Sequence, residues 1–292
     1  MTRKIKVLLI IIISLLIGIL YFYTKSDAQV DAQDNKNRQE IIKGDDLYSE
    51  SAILLDSKGN VMMEKNSQEK MRPASITKVM SAIVALEANS SLEKEVIIDS
   101  SLYSDLFAQN ASIAGFNHNE RTTIRDLLYG MMLPSGADAT LTLVDESYGS
   151  EKAFVKMMNN KAKELGMDNT HFTNSYGIDE KGHYSTCEDL GKLMMYALEN
   201  EDFKTIVSKK NYSIQMHDFE STTFKRFGST KLSNGELLGG KTGYTSDAGL
   251  CLASYAKVNG DEYIFISLKA KGNQYSKQYN MIDARNIYNS IK

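Results

Sequence analysis

Hydrophobic and polar positions along the 292-residue chain fall into distinct regimes. Residues 7–23 are apolar except for Ser14 and Gly18. Residues 25–46 are rich in Asp, Gln, Asn and Lys and carry few of the large apolar side chains that close a core. From residue 47 onward short apolar runs alternate with turn signals. Residues 52–55 and 61–64, joined by Asp56-Ser57-Lys58-Gly59, predict a β-hairpin. Pro73 then stands where a helix takes its first turn, and Ile76, Val79, Met80, Ile83 and Leu86 recur at helical spacing. That helix is apolar along most of its length, with Ala82 and Ala85 allowing close approach, so it is expected at the centre of the fold.

Residues 92–120 give mixed signals with short polar turns. A helix is predicted over 123–132, ended by Pro134, and another over 141–148, with Ser135-Gly136-Ala137-Asp138 at the junction. Helices follow over 154–165, closed by Gly166, and over 187–198, with a loop-rich passage at 169–185 between them. The pattern then changes to period two. Residues 212–216 predict a strand, with 220–227 as its pairing partner. Residues 250–256 and 263–268, joined through Asn259-Gly260, predict a second hairpin. Residues 275–291 close the chain with a helical pattern. The order predicts an α+β fold: one antiparallel sheet built from both chain ends, with a helical block packed against it.

The apolar N-terminal run is preceded by Arg3, Lys4 and Lys6. At about 1.5 Å per residue it is near the lower limit for crossing the hydrocarbon core. The basic flank places the rest of the chain outside the cell. The expected organisation is therefore a signal anchor at 1–24, a flexible polar linker at 25–46 and a catalytic domain at 47–292. A cleaved signal peptide, giving a secreted protein, is the competing reading.

Composition narrows the chemistry. The formal net charge is -3 with no long basic block, which argues against nucleic acid as a partner. Four histidines without an HExxH pattern argue against a zinc enzyme, and no cofactor is expected. Cys187 and Cys251 form no CxxC and read as small buried hydrophobes rather than a bridge.

One stretch carries chemistry. Ser75 and Lys78 lie three residues apart at a helix start, so the hydroxyl and the amine share a face. A serine hydroxyl needs an adjacent base, and a lysine serves only when burial or a second cation lowers its pKa. Lys241, in Gly239-Gly240-Lys241-Thr242-Gly243, supplies that second cation and an attraction for carboxylates. Ser135 is placed to relay a proton. Ser-x-x-Lys or Lys-Thr-Gly alone is common in chains of this length. Their order here, with Ser135 between them, gives them weight. His171 and His183 read as loop hydrogen-bonding groups.

Ser-x-x-Lys and Lys-Thr-Gly, with a serine motif between them, belong to the motif set of class A β-lactamases and penicillin-binding proteins. With His171-Phe172-Thr173-Asn174, Gly182-His183-Tyr184-Ser185-Thr186 and Gly239 through Tyr244, the chain resembles the serine D-alanyl-D-alanine carboxypeptidases, the low-molecular-mass penicillin-binding proteins. The resemblance implies a β-lactamase/transpeptidase-like fold and removal of the terminal D-alanine from peptidoglycan stem peptides. It also implies β-lactams as covalent inhibitors. Ser75 would attack the penultimate D-Ala carbonyl and Lys78 would take its proton. Backbone N–H groups of Ser75 and Tyr244 would form the oxyanion hole. Lys241 and Thr242, with Gly243 and Tyr244 on the same segment, would hold the substrate, and Arg226 is a further candidate for its carboxylate.

The sequence departs from the family pattern at its middle motif. The usual Ser-x-Asn amide, which bonds the substrate peptide, is replaced in Ser135-Gly136-Ala137, with Asp138 as a conceivable substitute. That departure motivates an alternative, a catalytically weak wall-binding or sensing module. Many relatives also carry a C-terminal β-rich domain and membrane helix. This sequence ends at Lys292, which leaves anchoring to the N-terminal segment. A β-lactamase is the further alternative. No Glu-x-x-Leu-Asn segment activates a deacylating water, and Glu188-Asp189-Leu190-Gly191 lacks the asparagine, so slow deacylation is expected.

Overall fold

A computed structural model describes residues 46–103 and 106–292. The expected membrane anchor and nearly all of the linker lie outside the described residues. Among the described residues no helix is long and apolar enough to cross a membrane. The elements run β1 (Ser49–Asp56), β2 (Val61–Lys65), a 3-10 turn (Ala74–Ile76), α1 (Thr77–Ala88), β3 (Glu95–Ile97), a second 3-10 turn (Ser100–Tyr103) and β4 (Arg121–Thr123). The helical block follows as α2 (Ile124–Met132), α3 (Ala137–Tyr148), α4 (Glu151–Glu164), α5 (Cys187–Glu199) and α6 (Glu201–Val207). The chain closes with β5 (Asn211–Ile214), β6 (His217–Glu220), α7 (Thr222–Phe227), β7 (Lys231–Leu232), β8 (Gly235–Thr245), β9 (Gly249–Val258), β10 (Asp261–Ala270) and α8 (Tyr279–Ser290).

The main sheet is antiparallel in the order β2-β1-β10-β9-β8-β7, so the two chain ends meet at its centre. Cross-strand partners share a face. Ile53 and Leu55, opposite Ile266 and Ile264, face α5, whose Gly191 lies against both side chains. Leu54 and its partner Phe265 occupy the other face, where Phe265 meets Tyr288 of α8 edge-on. Covering both faces explains why the central strands read as continuous apolar runs rather than as alternation. The buried Asp283 carboxylate of α8 accepts from the Tyr48 N–H at 3.0 Å, and from the N–H and hydroxyl of Ser49 at 2.8 and 2.6 Å, tying the last helix to the first strand.

Helix α1 is central, as its composition predicts, and contacts α2 to α6. Its residues Thr77 through Leu86 are all buried, including Lys78 and Ser81, so it lacks the solvated face of a surface helix. Thr123 caps α2 in a reciprocal capping box with Asp126, placing the start one residue beyond the predicted one.

The sequence pattern misleads in two places. Residues 220–227 were expected to form a strand, but only Glu220 belongs to β6, and α7 takes the rest. The Ser221 hydroxyl caps its Phe224 N–H, Thr222 N–H bonds the Leu133 carbonyl at 3.0 Å, and Phe224 and Phe227 are buried three residues apart. Tertiary burial thus overrides the strand preference of Thr-Thr-Phe. The short helix α6, the three-residue strands β3 and β4, and the strands β7 and β8 were not expected, and Lys241, read as lying just before a strand, sits inside β8.

Candidate active site

The start of α1 meets the middle of β8 across the first 3-10 turn. Ala74, just before the serine, has φ +49°, a left-handed conformation that costs a residue bearing a Cβ about 1 kcal/mol or more. Its neighbours hold it there. A Cβ at Gly177, which has φ +85°, would lie 2.0 Å from the Ala74 carbonyl oxygen. A Cβ at Gly243 would lie 2.9 Å from the Ala74 Cβ and 3.0 Å from the Ser75 nitrogen. Glycine is therefore required on both sides of the turn that presents Ser75.

Ser75 is half-buried, and its hydroxyl accepts a hydrogen bond from Lys78 Nζ at 3.2 Å. Lys78 also donates to the Tyr176 carbonyl at 2.7 Å. Burial drives its pKa down from 10.5 to about 7, opposed by the negative charge of Asp138. Near neutrality a large fraction of this amine is therefore unprotonated and can accept the serine proton. The turn that offers the Tyr176 carbonyl is clamped by Asn174, whose Oδ1 accepts from Gly177 N–H at 2.7 Å and Ile178 N–H at 3.2 Å. Sequence reasoning quoted Asn174 within a motif but gave neither it nor Tyr176 a role. The Asn-Ser-Tyr-Gly run, with a glycine forced to positive φ, was the available signal.

Lys241 lies inside β8, where a register shift at Leu237/Gly239 bends the strand, and is fully buried. Burial first, then the positive charges of Lys78 and Arg226, push its pKa well down. Its amine donates to the Thr242 carbonyl at 3.1 Å. The hydroxyl of the buried Thr242 pairs with the Thr222 hydroxyl at 2.8 Å. Arg226 enters this group from α7 and is half-buried. Its pKa is lowered by burial, and it donates to Gln278 Oε1 at 3.4 Å. No ion pair to a carboxylate is formed by Lys241 or Arg226 among the described residues. The structure thus brings Lys241 within electrostatic reach of Lys78 and Arg226, with Gly243 against Ser75; Ser75, Lys78 and Tyr244 line the cleft, and Lys241, Thr242 and Arg226 lie behind that lining.

Ser135 sits at φ +71° between α2 and α3, and its buried Oγ has no hydrogen-bond partner among the described residues. It bonds neither lysine directly. Ala137 is fully buried, with its N–H on the Ser112 carbonyl at 2.7 Å. Asp138 does not replace the missing amide. Its carboxylate accepts from the N–H groups of Ala114, Gly115 and Phe116 at 2.7, 2.8 and 3.3 Å, and is committed to holding that loop.

A cleft of about 800 Å³ opens over Ser75 and Lys78. Residues 107 and 109–112 line one wall, residues 176–179 the other, and Tyr244, Thr245 and Ser246 the floor beyond the nucleophile. His183 lies outside this lining. It accepts from Thr173 N–H at Nδ1 and so donates from Nε2 to the Thr77 hydroxyl, while burial lowers its pKa to about 4. It is the neutral structural group the sequence suggests. Glu188 pairs with Lys192 on α5 and does not line the cleft. Cys187 and Cys251 are free and buried.

The sequence signature of D-alanyl-D-alanine carboxypeptidases, peptidase family S11, matches residues 36–272. The D-alanyl-D-alanine carboxypeptidase DacF of Bacillus subtilis is 32% identical over 252 residues, covering 84% of this chain and 62% of DacF. The Streptomyces K15 DD-transpeptidase superposes with a TM-score of 0.77 at 29% identity, over 86% of this chain and 98% of that one. Penicillin binding protein 6B from Escherichia coli superposes with a TM-score of 0.73 at 25% identity, over 83% of this chain and 76% of that one. The architecture is thus that of the DD-peptidases, the α+β fold expected from the sequence. Because the S11 signature spans the whole cleft, from the strained turn before Ser75 to the strand bearing Lys241, the chain belongs to the D-alanyl-D-alanine carboxypeptidase family.

Proposed function

We propose that this protein is a serine DD-carboxypeptidase that removes the terminal D-alanine from peptidoglycan stem peptides and is acylated by β-lactams. The observation that carries this reading is the hydrogen bond from a fully buried lysine, with a pKa near 7, to the hydroxyl of Ser75. Neutral Lys78 accepts the serine proton as Oγ attacks the carbonyl carbon of the penultimate D-Ala. The N–H groups of Ser75 and Tyr244 receive the developing oxyanion, each donor being worth about 3 kcal/mol. The C–N bond breaks, the departing D-alanine amine takes a proton from Lys78, and a serine ester remains. Water then attacks the ester carbonyl, its proton passes to Lys78 and from there to Oγ as the acyl C–Oγ bond breaks, and the shortened peptide leaves with the Ser75 hydroxyl restored.

The substrate carboxylate has a counterpart in the other half of the site. Lys241 is fully buried, so it acts as a charge behind the Thr242 hydroxyl, with Arg226 beside it. An anion there relieves the repulsion among these cations. The unpaired Ser135 hydroxyl becomes a relay between Lys78 and the leaving amine when substrate fills the gap between them. A membrane anchor in the N-terminal apolar run would hold this domain at the outer face of the cell membrane.

The test is D-alanine release from a stem pentapeptide. The wild type is expected to release it and Ser75→Ala is not. Equal traces from both proteins would contradict the reading and favour a module that binds the wall without cutting it.

A further inference from the structure

The position of Ala137 leaves the site without the side-chain amide that the family's middle motif carries, yet the adjoining wall supplies another. Residues 112–116, the far end of the segment that begins at Gln109, are sewn onto the start of α3 at that point, by the Ala137 N–H on the Ser112 carbonyl and by the Asp138 carboxylate on three loop N–H groups. On its cleft side this segment presents Gln109. The Gln109 carbonyl oxygen accepts from the Tyr176 hydroxyl of the opposite wall at 2.8 Å, and the Tyr176 carbonyl holds the Lys78 amine. One residue therefore fixes both the general base and the oxygen of an amide, whose NH₂ remains as the donor end. Gln109 is solvent-accessible at the cleft and bears no charge, as a group exchanging water for a peptide carbonyl requires.

We propose that Gln109 takes over the task of the missing middle-motif amide. Its Nε2 donates to the carbonyl of the acylamido group, the peptide bond preceding the scissile residue, and thereby orients the substrate over Ser75. The proposal rests on the carboxypeptidase reading above. It makes Gln109 a positioning residue whose effect appears only with ligands that carry this acylamido carbonyl.

The experiment compares acylation rates of two β-lactams. Benzylpenicillin has the acylamido side chain, and 6-aminopenicillanic acid has the same nucleus and carboxylate without it. In Gln109→Ala the ratio of the benzylpenicillin rate to the 6-aminopenicillanic acid rate is expected to fall by about three- to tenfold, the range of one neutral hydrogen bond. Gln109→Glu separates donation from a structural strut. Glutamate still accepts from the Tyr176 hydroxyl but has no N–H, so its ratio should fall as far as that of Gln109→Ala. Measuring above the pKa of the 6-amino group keeps both ligands at the same net charge, so that the added carboxylate weighs on both alike. An unchanged or increased ratio in Gln109→Ala, or a wild-type ratio in Gln109→Glu, overturns the assignment while acylation of Ser75 stands. Failure of both ligands to acylate the wild type overturns the carboxypeptidase reading and the assignment together.

Discussion

The two halves of the site each bury a lysine, and in the proposed reaction the two lysines serve opposite ends of the chemistry. Lys78 donates to the Ser75 hydroxyl and the Tyr176 carbonyl, and burial, opposed by the charge of Asp138, brings its pKa to about 7. Lys241 has only the Thr242 carbonyl and two cationic neighbours, and its pKa is pushed well down. Burial makes the first a base. The second is a charge site lacking its counter-ion. The same residue type becomes a proton acceptor or an anion-binding element according to whether its neighbours relieve or reinforce the penalty of burial.

Removing either lysine should separate these roles. Lys78→Ala is expected to lower acylation by labelled penicillin about 10²- to 10⁴-fold, the usual worth of a positioned general base. Lys241→Ala should cost about ten- to a hundredfold in kcat/KM with a free-carboxylate peptide, the loss of one charge-assisted contact. With the C-terminal amide of the same peptide that difference should largely vanish. An equal loss with both peptides would break the distinction between the halves.

The turn between them is tested by Gly177→Ala. Its Cβ would meet the Ala74 carbonyl oxygen at 2.0 Å in a left-handed residue, so we expect destabilisation of about 2–4 kcal/mol in urea unfolding and slower acylation of the folded fraction.

Titration sharpens the base half. Acylation should rise as pH increases through about 7 and level off above it, because the reactive form of Lys78 is the neutral one. Stability follows the same sign. The folded pKa lies below the unfolded value of 10.5, so between pH 7 and 10.5 the unfolded chain binds the extra proton and stability increases with pH. The cost of burying Lys78 is fully present below about pH 7. The smallest effect is expected from Asp138→Asn. Losing the charge that raises the Lys78 pKa should move the acylation limb to lower pH by up to about one unit. A shift to higher pH would contradict the assigned influence.

The parts legible in the sequence were those where local pattern and burial agree. The β1–β2 and β9–β10 hairpins carry their own turn residues, and the apolar run around Met80 and Ile83 marks a helix with no solvent face. The proximity of Ser75, Lys78 and Lys241 was legible because the proposed nucleophile, base and second cation call for those residue types. Arg226 was harder to place, since its position depends on α7 replacing a predicted strand. Other features depend on groups far apart in sequence. The Tyr176 carbonyl on Lys78, the Asp138 commitment to residues 114–116 and the Gln109 to Tyr176 bridge are contacts between side chains and loops, and carry no local periodicity.

Whether Ser75 is the nucleophile is decided by intact mass and peptide mapping after incubation with benzylpenicillin. One covalent penicilloyl adduct, located on the peptide containing Ser75 and absent from Ser75→Ala, is the predicted result. An adduct on another residue, or an equal yield from Ser75→Ala, would contradict it.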